Sequence, residues 1–210
     1  MAEGRGDRGG SPADRRRRVV AAGHRGDPGP IEAARLDPDA SVRAARLGAL
    51  KKSGALTVAE LTAALRDPEP VVRRRAATLA TRVGGTGSRS TLPALLVDRL
   101  DDPDPLVAEA CAWALGERTH RAAVPALSAM ATGHADPRCR EAAVAALGAI
   151  GDPGGLEAVL AGLADRPPVR RRAVVALAGF DGPAVEAALE GCLADPDWQV
   201  RQAAEILLER

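Results

Sequence analysis

Residues 67–84 read "DPEPVVRRRAATLATRVG". Asp67 is a helix-capping residue, and Pro68 and Pro70 fall where the first turn has backbone N–H groups without helical partners. Val72, Ala76 and Ala80 then recur at helical spacing and form one apolar stripe. The stretch predicts a short helix with a defined start. Its puzzle is the run Arg73, Arg74, Arg75, because cations gain nothing from the positive end of a helix dipole.

The pattern recurs. "DPDASVRAARLGALKKSG" (37–54), "DPDPLVAEACAWALGERT" (102–119), "DPRCREAAVAALGAIG" (136–151), "DRPPVRRRAVVALAGFDG" (165–182) and "DPDWQVRQAAEILLER" (195–210) share its form. Val42, Val72, Val107, Cys139, Val169 and Val200 are the first apolar residues of these helices, and their spacings run from 30 to 35 residues. Four residues on stands a small side chain: Ala76, Cys111, Ala143, Ala173 or Ala204, with Arg46 as the exception. Eight residues on is leucine in Leu50, Leu115, Leu147, Leu177 and Leu208, and alanine at Ala80. Shorter apolar segments between them, such as "TVAELTAAL" (57–65) and "AAVPALSAM" (122–130), supply a first helix for each hairpin. One hairpin cannot bury both faces, so a period near 31 predicts a stacked array.

Composition agrees. Hydrophobic residues make up 46% of the 210 and aromatics only 1%, so Ala, Val and Leu must fill the core. These residues favour closely packed helices. The predicted class is an all-α solenoid of helical hairpins. Residues 1–13 are expected to be a disordered tail, 14–29 a degenerate half-repeat acting as a cap, and 30–210 a domain of about six repeats. The recurring Asp-Pro, the Val-Arg pairs at 42–43, 72–73, 169–170 and 200–201, the Ala-Leu pairs at 49–50, 114–115, 146–147 and 176–177, and a terminal Gly resemble the HEAT repeats. They resemble in particular the short kind named after phycobilisome lyases. That resemblance implies an all-α, right-handed α-solenoid (superhelix) of HEAT-like helical hairpins whose second helices line the concave side, and most often a protein-binding scaffold.

The arginines divide into two sets. Directly after the anchor stand Arg43, Arg73, Arg140, Arg170 and Arg201, with Ala108 in the remaining copy. A residue in register with the fold belongs to the fold, so these are expected to form a ladder with Asp37, Asp67, Asp136, Asp165 and Asp195, and with Asp102. The next two positions do not recur. Arg74 and Arg171 share their column with Glu109 and Glu141, and Arg75 and Arg172 stand in the next, among alanines. They point toward the concave side and are expected, with Trp113, to contact a partner. Trp113 stands in a column otherwise filled by Gly48, Thr78, Ala145, Val175 and Ile206. Trp198 is expected to pack the terminal repeat.

The chemistry implied is binding. A net charge of +1 and three aromatics argue against a nucleic-acid binder. His24, His120 and His134 are dispersed, so no metal or other cofactor is expected. Cys111, Cys139 and Cys192 do not form a disulfide framework; the first two fall on the apolar stripe, and Cys192 is expected to be half exposed. No phosphate loop or nucleophile elbow occurs, which argues against an enzyme. A lyase-type accessory or chromophore-handling subunit is the alternative the family resemblance implies. No apolar run is long enough for a membrane span and no signal core opens the chain, so a cytoplasmic protein is expected. Ile206, Leu207 and Leu208 are consecutive, and one stripe cannot bury all three; self-association through this C-terminal helix is a further expectation.

Overall fold

The computed structural model describes residues 10–81, 83 and 91–209. These residues form helices α1 (Pro12–Arg25), α2 (Pro28–Ala33), α3 (Ala40–Lys52), α4 (Val58–Ala64), α5 (Pro70–Leu79), α6 (Leu92–Asp98) and α7 (Pro105–Glu117). They continue with α8 (Val124–Gly133), α9 (Pro137–Ile150), α10 (Leu156–Gly162), α11 (Pro167–Ala176), α12 (Pro183–Cys192) and α13 (Trp198–Leu208). There is no strand among the described residues. The chain divides into two compact units, Met1–Leu79 and Ala80–Arg210. In each, helical hairpins stack as an all-α right-handed solenoid.

Helix starts follow local chemistry. Asp39, Asp104, Asp136 and Asp197 are N-caps, each accepting a backbone N–H from two residues on. Proline occupies the first turn of α7, α9, α11 and α12, where its missing N–H costs nothing. The expected tail reaches residue 13, but α1 begins at Pro12 behind a reciprocal capping box of Ser11 and Asp14; residues 1–9 lie outside the described set.

In the first unit, α1 packs on α3 and α3 on α5, while α2 packs on α1 and α3, and α4 on α5. Val42 and Val72 are buried, as are Leu61 and Leu65. Arg46 takes a small residue's place in the stripe and is buried too. Its Nε donates to the Ile31 carbonyl at 3.0 Å, and its guanidinium forks onto the Glu60 carboxylate. A buried cation is tolerable only when its donors are used in this way.

In the second unit, α7 packs on α9, α9 on α11 and α11 on α13. Val107, Cys139, Val169, Val200, Leu115, Leu147 and Leu177 are buried. Small residues bring the second helices together. A Cβ on Gly116 would lie 2.8 Å from the Ala146 Cα, and one on Gly148 would lie 2.6 Å from the Ala176 Cβ. Only hydrogen fits at either place.

Two expectations about packing change here. Cys192 is buried, not half exposed, because it faces inward from the last turn of α12. Trp198 opens α13 with 59% of its surface exposed, so it is not packing for that repeat.

Candidate functional site: two faces of the second helices

The arginines that follow the anchors are engaged within the fold, and Arg15 joins them. In the first unit, Arg15 Nε and Nη2 fork onto Asp37 at 2.7 and 2.9 Å, and Arg43 makes the same fork onto Asp67 at 2.8 and 2.7 Å. In the second, Arg140 holds Asp165 at 2.6 and 2.8 Å, and Arg170 holds Asp195 at 3.0 and 3.1 Å. Each rung reaches forward one repeat. The remaining nitrogen, Nη1, turns back to its own repeat: Arg43 to the Asp37 carbonyl, Arg140 to that of His134, Arg170 to that of Asp165. Arg73 and Arg201 bond the carbonyls of Asp67 and Asp195 in the same manner. One guanidinium thus ties two turns together by charge-assisted, planar contacts. Arg15 has no counterpart in the sequence reading, because Asp14 replaces the apolar anchor before it. Its place eight residues before Gly23 matches Arg140 before Gly148 and is the signal that marks it.

Asp136 departs from the ladder role. It caps α9 and binds Arg138 of its own helix at 2.8 Å, which holds its carboxyl down at about 2. The dipeptide Asp-Pro had suggested one register, whereas distance to the anchor gives another. Five residues before Cys139 stands His134, and its Nδ1 accepts the Asp136 N–H at 3.0 Å. Asp102 and Asp195 do this with the N–H of Asp104 and Asp197.

The expected contact residues also divide. In the second unit, Arg171 binds the capping carboxylate Asp197, at 2.8 Å from its Nε, and Arg172 lies 3.4 Å from Glu141. These four side chains cross-link the second helices. Glu109 and Trp113 on α7 are different. With Glu117 they succeed one another at four-residue intervals along one helix face. Trp113 is 45% exposed and borders a groove of about 410 Å³, floored by Ala142, Ala145 and Ala149 and closed by Arg138 and Arg172. Both closing arginines already carry acidic partners, which leaves Glu109 and Glu117 beside the indole.

In the first unit, Arg74 and Arg75 are exposed on α5 and line a groove of about 770 Å³ with Arg16, Val20, His24 and Lys52. Its floor is Ala44, Ala45 and Gly48 of α3. The Arg75 guanidinium lies over Gly48, where a Cβ would meet its Nη2 at 2.8 Å. No aspartate or glutamate lines this groove. The charged side chains of this groove are all cations, whereas the groove of the second unit carries both signs.

No His, Cys, Asp or Glu cluster among the described residues has the arrangement of a metal site, and no helix there is long and apolar enough to cross a membrane. Ile206 and Leu208 are exposed on α13.

The family described as HEAT repeats matches residues 93–168, within the second unit. No curated protein matches the chain. Among solved structures, the chain is similar to a designed armadillo repeat protein in complex with the peptide (KR)4, at 18% identity and a TM-score of 0.64, over 85% of this chain and 97% of that one. YibA of E. coli matches over 96% of this chain and 76% of its own, at 16% identity and a TM-score of 0.67. The complex of CpcE and CpcF of phycocyanin lyase from Nostoc sp. PCC7120 matches over 71% of this chain and 96% of that chain, at 21% identity and a TM-score of 0.58. These likenesses establish a HEAT- or armadillo-like all-α repeat fold.

Proposed function

We propose that the protein is a non-enzymatic scaffold of short HEAT-like repeats, of the phycobilisome-lyase type, that binds a segment of a partner protein along its second helices. The observation that carries this reading is Trp113, half exposed between Glu109 and Glu117 above an alanine-floored groove. An indole face flanked by two carboxylates suits a lysine or arginine side chain, which gains a cation–π contact and an ion pair together. Alanines beneath leave room for the aliphatic stem of that side chain. The designed armadillo protein with its bound (KR)4 peptide lends support at the level of architecture. The buried thiols of Cys111, Cys139 and Cys192 are poorly placed for nucleophilic chemistry, which favours binding over catalysis.

The test is titration of the full chain with the (KR)4 peptide, following Trp113 fluorescence in a Trp198→Phe background. Saturable quenching that weakens in Glu109→Gln/Glu117→Gln is expected. A photo-crosslinker at position 113 should also join a basic segment of a cellular protein. Absence of both signals would overturn the reading.

A further inference from the structure

We infer that the groove of the first unit is a second binding site, selective for an acidic, extended peptide segment of about six residues; this deepens the scaffold reading above and rests on it. The inference begins with an imbalance. Elsewhere on the second helices, arginines beyond the ladder have found acids: Arg138 has Asp136, Arg171 has Asp197 and Arg172 has Glu141. Arg16, Arg74 and Arg75 form no ion pair among the described residues, and Lys52 joins them in a lining that contains no carboxylate. Like charges gathered on one face repel one another, so the groove is relieved by an anion brought from outside.

The shape narrows the ligand. The cations come from three successive helices, α1, α3 and α5, and the groove floor between them is Ala44, Ala45 and Gly48. Neighbouring packed helices lie about 8–10 Å apart, so the row spans about 20 Å. An extended chain advances about 3.3 Å per residue, and about six residues cover that distance. Gly48 matters because the absent side chain makes room for the Arg75 guanidinium against the floor of the groove. Forked donors suit carboxylates, two oxygens to two nitrogens. No phenylalanine, tyrosine or tryptophan lines the groove, and His24 is its one ring, so it lacks the run of stacking platforms by which single-stranded nucleic acids are held. Carboxylates on a peptide fit better than a phosphate backbone.

The experiment uses the full chain and a fluorescein-labelled hexaglutamate peptide, read by anisotropy at low salt. Saturable binding is expected, weakened about tenfold or more by Arg74→Glu/Arg75→Glu and weakened again by salt. Gly48→Ala, whose added Cβ meets only the flexible end of Arg75, should weaken it as well. Trp113→Ala should leave it unchanged, because that side chain belongs to the other groove. Helical circular dichroism of every variant is compared with the parent to confirm folding. Three results would overturn the inference: no binding of hexaglutamate, binding indifferent to the charge reversal, or tighter capture of a single-stranded oligonucleotide through the same arginines. If hexaglutamate fails while (KR)4 still quenches Trp113, only the acidic site is lost. If both fail, the scaffold reading falls with it.

Discussion

Ala108 and His134 stand at the two positions where the following repeats of the second unit have a forked ion pair. Arg140 reaches Asp165 and Arg170 reaches Asp195, but the arginine register at 108 holds a methyl group and the acid register at 134 an imidazole. Both halves of this rung are absent together, so neither leaves an unpaired charge. Restoring both, as Ala108→Arg/His134→Asp, should raise stability by about 1–2 kcal/mol. Either change alone should be neutral or destabilising. Urea unfolding of the four proteins in this cycle provides the measurement.

The intact rungs should show the converse coupling. Arg140 and Asp165 have side chains only 16% exposed, and they meet through two bonds. Arg140→Met leaves a carboxylate without its partner, and Asp165→Ala leaves a guanidinium in the same state. A double-mutant cycle should give a coupling of about 1–2 kcal/mol, and additivity would show that the rung is ornamental.

Acid should loosen the ladder. The bonds from Arg140 hold the Asp165 carboxyl below its ordinary value, against the opposing effect of burial. At Asp67 burial is the larger single influence and pushes upward, yet the Arg43 fork and the Glu69 N–H together bring it below the ordinary range. A carboxylate depressed in the folded state stabilises above its unfolded pKa, about 3.9, and that contribution fades as pH falls through the lower folded value. The thermal midpoint should therefore be insensitive to these groups above about pH 5 and drop below about pH 4. Asp165→Asn should begin lower at pH 7 and show a shallower drop.

Two glycines in helices should respond with opposite signs to alanine. Alanine is favoured over glycine in a helix by about 1 kcal/mol. At Gly191 in α12 an added methyl would meet open space, so Gly191→Ala should be stabilising by up to about that amount. At Gly148 the methyl would sit 2.6 Å from the Ala176 Cβ, and α9 must move off α11. Gly148→Ala should cost about 1–3 kcal/mol despite its better helix propensity. Calorimetry of the two variants separates packing from propensity.

The thiols should be silent in the native protein. Burial pushes Cys139 up to about 11, and Cys192 is shifted in the same direction by the same cause. Ellman's reagent at pH 8 should find no rapidly reacting group in the native chain, and three after denaturation. A fast native phase would show that α9 or α12 opens more readily than its burial implies.

Much of the architecture was legible because a repeat writes the same physics several times. Val107, Cys139 and Val169 declare a buried column through spacing alone, and each lies in the core. Side-chain partnership was less accessible. Whether Arg74 and Arg171 are available cannot be read from their shared column, since the difference is Asp197 lying within reach of Arg171 across a helix boundary. Arg46 looked like a flaw in a small-residue stripe until Glu60, on another helix, completed it. His134 was masked by the Asp-Pro that follows, because a dipeptide identity weighed more than the distance to Cys139. Local signals fix where helices begin; contacts between helices depend on offsets of an ångström or two that no periodicity records.

The forward reach of each rung has an evolutionary corollary. Because Arg140 grips the turn one repeat ahead, excision of α10–α11 would present Arg140 with Asp195 in place of Asp165, and an equivalent clasp could close at the new seam. Loss of α8–α9 would instead set Ala108 opposite Asp165 and strand a carboxylate. The repeats of this array are therefore not equally interchangeable: shuffling is cheap where donor and acceptor are the generic pair, and penalised at the junction of Ala108 and His134, where both differ from it.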